Sequence, residues 1–206
     1  MTSSSSHNQP RALLPLEQHA GAGFSIMDRV YPKWVTWFYP PWHERAKIVL
    51  SLLEFAMDSY QHANFGTFYL CNISHTTIGV GDKSDIKILD LRYIKTPEQL
   101  LHELAHIPCT KDADCTYTSQ CVTRCDVTER ACTGEIIRPT LSHICTYILT
   151  FIMHAAPKRV KGDLAHALDK CEKLSVYQSD MNLRYSVVHN DLKSLLWGQI
   201  SYVVPV

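Results

Sequence analysis

Residues 66–91, GTFYLCNISHTTIGVGDKSDIKILDL, carry the most specific fold signal in the sequence. They contain three short runs rich in β-branched and aromatic residues, which predict strands over 67–73, 77–80 and 86–91. The polar turn Gly81-Asp82-Lys83-Ser84 separates the last two runs. We therefore expect a small β-hairpin whose final strand delivers Asp90.

Helical patterns flank this stretch on both sides. In residues 43–62, apolar side chains recur at three- and four-residue steps with charged residues between them, which predicts an amphipathic helix. Residues 96–99, TPEQ, predict a second helix with Thr96 as N-cap and Gln99 completing a capping box; the helix is expected to run to about Ile107. Three more helices are expected near 137–155, 160–173 and 185–199. The predicted fold class is mainly α with a small β-hairpin.

The 206-residue chain has the composition of a globular protein with a substantial core. Hydrophobic residues make up 46% of it, which excludes wholesale disorder. Twenty Lys and Arg balance twenty Asp and Glu, so the formal net charge is zero. Nucleic-acid-binding domains and polybasic membrane-surface proteins are usually strongly basic. The composition argues against both classes, and we expect no nucleic-acid partner.

Eight cysteines are present, and five of them crowd into one short segment, residues 109–133. These five are Cys109, Cys115, Cys121, Cys125 and Cys132. Such density is typical of a disulfide framework or of a metal cluster. No CxxC pair occurs and the spacings match no zinc-finger pattern, which favours disulfides. We predict at least two disulfides within this segment, which otherwise has the composition of a loop.

The other three cysteines, Cys71, Cys145 and Cys171, lie within apolar or helical stretches. Isolated cysteines of this kind are usually inert core residues. Because the cluster has an odd number of members, one of the three is a candidate partner for its unmatched cysteine.

The order of helix, hairpin and Asp90 is similar to the catalytic region of protein kinases. Laid on the pattern HRDxxxxN, Asn72 falls at the catalytic aspartate and Thr77 at the metal-binding asparagine. The strand KILD ends on Asp90, as the corresponding kinase strand ends on the Mg²⁺-binding aspartate. Together with PCTKDADC, residues 108–115, and the cysteines that follow, these features resemble the divergent protein kinase domain 1 family over roughly residues 42–206. Its members are cysteine-rich, kinase-like proteins of the secretory pathway.

This resemblance implies a protein-kinase-like C-lobe over residues 42–206, with residues 109–133 as a disulfide-rich insert. Residues 1–41 are then a mobile lead that ends in an aromatic-rich segment. No glycine-rich loop or VAIK-like strand precedes residue 43, so the N-lobe is expected to be largely absent. The resemblance also implies protein partners and residence in the endoplasmic reticulum or elsewhere in the secretory pathway. No signal peptide or membrane span is recognised, so membrane association is expected only through a segment missing from this chain.

Several departures from the kinase pattern bear on catalysis. The amide of Asn72 does not ionise, so it cannot replace a carboxylate base. Thr77 offers a hydroxyl where a metal-binding carboxamide is expected, and Leu91-Arg92 stands where Phe-Gly normally follows the aspartate. Asp90 alone is expected to attract Mg²⁺–ATP only weakly. We therefore predict a pseudokinase that acts as a binding or regulatory module, with an active kinase represented by a truncated chain as the alternative.

Residues 102–106, HELAH, provide an alternative from another functional class. In a helix, His102 and His106 share one face and can bind one Zn²⁺ while Glu103 polarises water. A zinc metallopeptidase also needs a third ligand, and no second motif supplies one. Pro108 also ends the helix soon after His106. The expectation is that the chain binds no stoichiometric zinc and cleaves no peptide.

Residues 188–193, VHNDLK, also resemble the HRDLK catalytic loop of protein kinases. Only thirteen residues follow Lys193, too few for the downstream metal-binding aspartate and helical lobe of a kinase. We interpret this stretch as the start of a C-terminal helix, with Asn190 or Asp191 as its N-cap.

Overall fold

The structure is a computed structural model that describes residues 41–60, 66–74, 76–81, 84–153 and 155–200. The predicted lead segment, residues 1–41, lies outside these ranges except for Pro41. The helices within them are α1 (Trp42–Tyr60), α2 (Pro97–Leu104), α3 (Thr140–Ile152), α4 (Lys158–Glu172) and α5 (Met181–Ile200). The strands are β1 (Tyr69–Leu70), β2 (Ile78–Val80), β3 (Ile86–Ile88), β4 (Ile94–Lys95), β5 (Thr116–Thr118), β6 (Cys121–Asp126) and β7 (Ala131–Ile136). In this described part, no helix has both the length and the apolar character needed to cross a bilayer.

Helix α1 forms where the sequence predicts an amphipathic helix. The carbonyl oxygen of Pro41 accepts the backbone N–H groups of Glu44 at 3.0 Å and Arg45 at 3.2 Å, which begins the helical hydrogen bonding. Leu52 and Leu53 have no exposed surface. Each leucine buried in this way contributes about 1.5–3 kcal/mol, so packing of the apolar face holds the helix in place.

Helices α1, α3, α4 and α5 share one hydrophobic core. Helix α1 packs against α3 and α5, and α4 contacts both α3 and α5. Along α3, Ile144, Ile148 and Ile152 are fully buried at four-residue steps, which places them on one face. Tyr185 of α5 is also fully buried, and its hydroxyl donates to the carbonyl oxygen of Ala56 at 2.7 Å. The prediction of a mainly helical fold is therefore confirmed.

Helix α5 begins earlier than the sequence predicts, so the assignment of Asn190 or Asp191 as its N-cap is wrong. Both residues lie inside the helix, whose first bond runs from the N–H of Arg184 to the carbonyl oxygen of Asp180 at 2.9 Å. The neighbouring His189 is buried against α1 and contributes to the contact between the two helices. Tertiary packing of this kind overrides the preference of Asn and Asp for helix ends.

The short strands before the insert form two separate sheets instead of one hairpin. Strands β2 and β3 make the expected antiparallel hairpin, with Ile78 opposite Ile88. Strand β1 pairs with β4, and Leu70 lies opposite Ile94. This second pairing joins segments that are distant in the sequence, so no local turn signal predicts it. Strands β1, β2 and β3 are shorter than the sequence predicts, and β4 is a strand that the sequence does not predict.

The N-terminus of α2 has the predicted capping box. The N–H of Gln99 donates to Thr96 Oγ1 at 3.3 Å, and the N–H of Thr96 donates to Gln99 Oε1 at 2.9 Å. The helix ends at Leu104, three residues before the predicted end at Ile107. Leu104 is buried against the cysteines of the insert, whereas His106 lies in the turn that follows the helix. The helix therefore ends at its contact with the insert, before the chain reaches Pro108.

The insert, residues 109–133, supplies most of a three-stranded antiparallel sheet in the order β5-β6-β7. Disulfides join Cys109 to Cys125 and Cys115 to Cys132, which confirms the prediction of at least two within this segment. The expectation of a loop is wrong. Strand patterns are recognised by large apolar side chains on one face, whereas cysteine sulfurs fill much of the inner face here.

The remaining cysteines form two further disulfides. Cys71 pairs with Cys121, the one cysteine of the five that has no partner within the cluster. Cys145 of α3 pairs with Cys171 of α4, so the interpretation of these two as unpaired core cysteines is wrong. Their helices pack together only in the folded chain, which explains why the pairing has no local signal. All eight cysteines are therefore in disulfides.

His143 of α3 is expected to make the stability of the fold depend on pH. Burial and, to a smaller extent, the positive charge of Arg138 lower the pKa of His143 to about 4. An unfolded histidine titrates near 6.5, so between about pH 6.5 and pH 4 the unfolded chain binds a proton that the folded chain does not. Stability is therefore complete above this window and falls with acidification, by about 2 kcal/mol between pH 7.5 and pH 5.

Urea unfolding of wild type and His143→Gln at pH 7.5 and pH 5 measures this contribution. The His143→Gln variant should lose less stability on acidification, while His166→Gln, which changes an exposed histidine of α4, should behave like wild type. An equal pH dependence in His143→Gln and wild type would show that His143 is not responsible.

Candidate functional site

The three residues at the kinase motif positions lie on one hydrogen-bonded region of the chain. Asn72 and Thr77 belong to the loop between β1 and β2, and Asp90 follows β3. The N–H of Leu89 donates to the carbonyl oxygen of Thr77 at 2.8 Å, which continues the pairing of β2 and β3. The structure therefore connects the loop to Asp90 through the main chain.

The hydroxyl of Thr77 holds the loop together. It is buried, and Oγ1 donates to the carbonyl oxygen of Asn72 at 2.7 Å. Thr77 Oγ1 also accepts the backbone N–H of Ser74 at 3.1 Å. These bonds use the proton of the hydroxyl and one of its two lone pairs. Thr77 is thus engaged in loop structure at the position where a kinase has a metal ligand.

The insert fixes the residues on both sides of Asn72. On one side, the disulfide from Cys71 to Cys121 joins the loop to the start of β6. The hydroxyl of Thr118 also donates to the carbonyl oxygen of Cys71 at 2.5 Å. Asn72, which is half-buried, therefore follows a residue that is held by both a covalent bond and a hydrogen bond.

On the other side of Asn72, the side-chain amide of Gln120 binds the backbone of Ile73 twice. The N–H of Ile73 donates to Gln120 Oε1 at 2.5 Å, and Gln120 Nε2 donates to the carbonyl oxygen of Ile73 at 3.2 Å. Sequence reasoning missed Gln120 and Thr118. The one sequence feature that points to them is their position within three residues of Cys121, the cysteine without a partner inside the cluster.

The carboxylate of Asp90 is bound by the guanidinium of Arg92. Arg92 Nε donates to Oδ1 at 3.0 Å, and Arg92 Nη2 donates to Oδ2 at 2.7 Å. Oδ1 also accepts the backbone N–H of Arg92 at 3.1 Å and so caps the short 3₁₀ turn Leu91–Tyr93. These hydrogen bonds from the Arg92 side chain are the main reason that the pKa of Asp90 lies below its ordinary value. The Asp90 side chain is only 20% exposed, whereas that of Arg92 is 84% exposed.

A second charged group links α2 to the insert. Lys95 Nζ lies 3.3 Å from Glu103 Oε1 and 5.0 Å from the centroid of the Tyr117 ring. Hydrogen bonding to Tyr117, followed by that to Glu103, raises the pKa of Lys95. The glutamate proposed as a metallopeptidase base is therefore paired with a lysine.

The structure gives the zinc alternative no geometric support. His102, Glu103 and His106 are exposed, and α2 ends between the two histidines. The shared helical face on which the motif depends is therefore not formed. In the described ranges, one group of three candidate metal ligands lies close together: Cys109, Cys115 and Cys125. Their sulfurs are in disulfides and offer no thiolate.

The kinase-motif residues fit a magnesium–nucleotide complex poorly. Mg²⁺ is usually held by one or two protein carboxylates together with phosphate oxygens and water. At the three motif positions, Asp90 supplies the one carboxylate, and a guanidinium already binds both of its oxygens. Asn72 has no ionisable group with which to accept a proton, and the Thr77 hydroxyl is buried.

Comparison with known proteins identifies one matching family model over residues 16–174 of this chain. It is described as the protein-kinase domain of FAM69. The match includes α1, the kinase-motif region, the insert, α3 and α4. No solved structure matches the chain significantly.

Proposed function

The chain belongs to the family of FAM69 protein-kinase domains, and from this premise we propose that it is a pseudokinase, a kinase-like domain that binds partners without transferring phosphate. The observation that carries the proposal is the pairing of Asp90 with Arg92. In an active kinase, the aspartate at this position binds Mg²⁺ against the nucleotide phosphates. Here the guanidinium of Arg92 neutralises the carboxylate of Asp90, so an arginine of the same chain takes the position of the metal's positive charge.

The other motif positions support the same proposal. A kinase uses its catalytic-loop aspartate to accept the proton of the substrate hydroxyl, and the amide of Asn72 cannot do this. Loss of a general base alone typically costs about 10²–10⁴-fold in rate, so it would leave a slow enzyme. Phosphoryl transfer depends chiefly on the binding of metal and phosphate. The departures at Thr77 and Asp90 weaken this binding, in addition to the loss of proton transfer at Asn72.

Metal binding tests the role of Arg92 directly. The free Mn²⁺ signal in electron paramagnetic resonance, recorded with ATP present, reports how tightly the full chain binds the Mn²⁺–ATP complex. Wild type and Asp90→Ala should bind equally weakly, because Arg92 already occupies the carboxylate. Arg92→Ala should bind up to about fivefold more tightly, in line with the modest worth of an exposed ion pair. Arg130→Ala, which removes an exposed arginine from the turn between β6 and β7, should match wild type.

Transfer of radiolabelled phosphate from ATP tests the activity itself. We expect no transfer by wild type, by Asn72→Asp or by Arg92→Ala, because each variant repairs only one of the three positions. Thermal unfolding of each variant checks that it is folded. The pseudokinase proposal fails if wild type transfers phosphate and Asp90→Ala does not. The role proposed for Arg92 is refuted if the single substitution Asp90→Ala weakens Mn²⁺–ATP binding, because the carboxylate would then bind the metal despite its pairing with Arg92.

We also propose that the protein resides in the secretory pathway. The support for this location is the pairing of all eight cysteines, because disulfides persist in oxidising compartments such as the lumen of the endoplasmic reticulum. In a reducing cytosol, the same sequence would carry eight thiols and lose the bonds that hold the insert to the motif loop.

A further inference from the structure

A cleft of about 410 Å³ lies where the C-terminal end of α1 and the N-terminal end of α5 meet β1 and β7. Its lining includes the aromatic residues Tyr60, Phe68 and Tyr69, the carboxylate residue Glu135 and the amide residue Asn182. None of these residues occupies a kinase motif position. The volume falls within the range of pockets that bind small molecules or single side chains.

The aromatic side chains of this cleft are held in place by neighbours. The ring of Tyr60 stacks on that of Tyr185, with centroids 4.0 Å apart and planes 9° from parallel. The hydroxyl of Tyr60 donates to Asn182 Oδ1. The ring of Phe68 packs edge-on against Phe55 at 6.0 Å. Little side-chain freedom remains to be lost when a ligand enters, which favours binding.

Glu135 gives the cleft a negative charge. Its side chain is about half exposed, and Oε2 lies 3.1 Å from Nη1 of Arg124. Burial and, to a smaller extent, the charge of Glu135 raise the pKa of Tyr69 to about 12. The pKa of Tyr60 is likewise raised by burial and then by Glu135. The carboxylate therefore acts on two of the aromatic side chains that line the cleft.

We propose that this cleft binds an arginine side chain of a partner protein. A guanidinium can stack its plane on aromatic rings while its N–H groups bind a carboxylate, and an ammonium lacks this planar match. The ion pair with Arg124 involves Oε2 of Glu135, whose side chain is 48% exposed, so the carboxylate can accept a second guanidinium; Asp90 differs because Arg92 donates to both of its oxygens. The cleft thus combines aromatic walls with a carboxylate, which is the chemistry that recognises arginine.

The probes are N-acetyl-arginine amide, N-acetyl-lysine amide and the citrulline counterpart, a neutral group with the shape of arginine. Each is titrated into the ¹⁵N-labelled full chain, and backbone amide shifts are followed by nuclear magnetic resonance. The arginine probe should shift the amides of Thr67, Glu135 and Ile136 and bind about tenfold more tightly than the citrulline probe, given the usual strength of cation–π and exposed ionic contacts. It should also bind more tightly than the lysine probe. Equal affinities, or shifts confined to another surface, would overturn the proposal.

Three variants assign the selectivity to the cleft. Glu135→Gln should reduce the preference for arginine over citrulline from about tenfold to less than about threefold, because the carboxylate supplies the ionic part. Glu129→Gln removes the same charge from the exposed β6–β7 turn and should leave the preference intact. Arg124→Ala should strengthen binding of the arginine probe, since it frees Glu135 from its internal partner. A loss of selectivity in Glu129→Gln equal to that in Glu135→Gln would refute the assignment. All of these outcomes are independent of Asp90 and of phosphoryl transfer.

Discussion

Replacing Cys71 and Cys121 together with alanine is expected to lower the free energy of unfolding by about 4 kcal/mol. Their disulfide links residues 50 apart in the sequence, the longest span of the four. A longer closed loop removes more conformational freedom from the unfolded chain, so its loss costs more stability. Both cysteines are buried, and the motif loop loses its covalent connection to the insert when they are replaced.

The matched comparison is the double alanine variant of Cys109 and Cys125. Their separation is 16 residues, so the same reasoning gives a cost of about 3 kcal/mol. Guanidinium unfolding of the oxidised proteins measures both losses. Hydrogen exchange should also show faster opening of the Ile73 amide in the first variant only, because Gln120 would remain as its single anchor. A smaller loss for Cys71 and Cys121 than for the shorter loop would contradict the prediction.

Tyr185→Ala is expected to destabilise the protein by about 4 kcal/mol, the usual cost of removing a large aromatic side chain from a core. Tyr185 has no exposed surface and is the largest fully buried side chain in the described part of the chain. Its ring stacks on Tyr60 and its hydroxyl donates to Ala56. The substitution therefore leaves a cavity between α1 and α5 and removes one hydrogen bond from the carbonyl oxygen of Ala56, which still accepts the hydroxyl of Ser59 at 2.8 Å.

Tyr185→Phe separates the two contributions. The ring remains in this variant and only the hydrogen bond to Ala56 is lost, which is expected to cost about 1–2 kcal/mol. Urea unfolding monitored by circular dichroism measures both variants against wild type. An equal cost for the two substitutions would show that the hydroxyl, not the packing of the ring, dominates at this position.

The parts of the fold that depend on local sequence could be predicted. The apolar spacing of α1 and the capping box at Thr96 and Gln99 are set by neighbours within a few residues, and both are present in the structure. The hairpin of β2 and β3 is also local, because a short turn joins its strands. At this scale, periodicity and capping chemistry determine the structure directly.

The rest depends on contacts between distant parts of the chain. The pairing of β1 with β4 and the disulfide between Cys145 and Cys171 have no signal in the sequence around either partner. At the candidate site, the motif positions could be predicted from their spacing, and Arg92 stood out at the position of a glycine. Its hold on Asp90 could not be deduced from spacing alone, because it depends on the backbone turn that aims the guanidinium at the carboxylate.

The connectivity of the disulfides has a consequence for how the chain is made. During synthesis the N-terminal side emerges first, so Cys71 meets Cys109 and Cys115 before its native partner Cys121 has been translated. The bonds Cys109–Cys125 and Cys115–Cys132 also overlap along the sequence, because Cys115 lies between Cys109 and Cys125 but pairs outside that interval. Pairing in order of appearance therefore produces the wrong bonds. We therefore expect the native set to form through delayed oxidation or thiol–disulfide exchange, and this step to be slower than folding of the helical core.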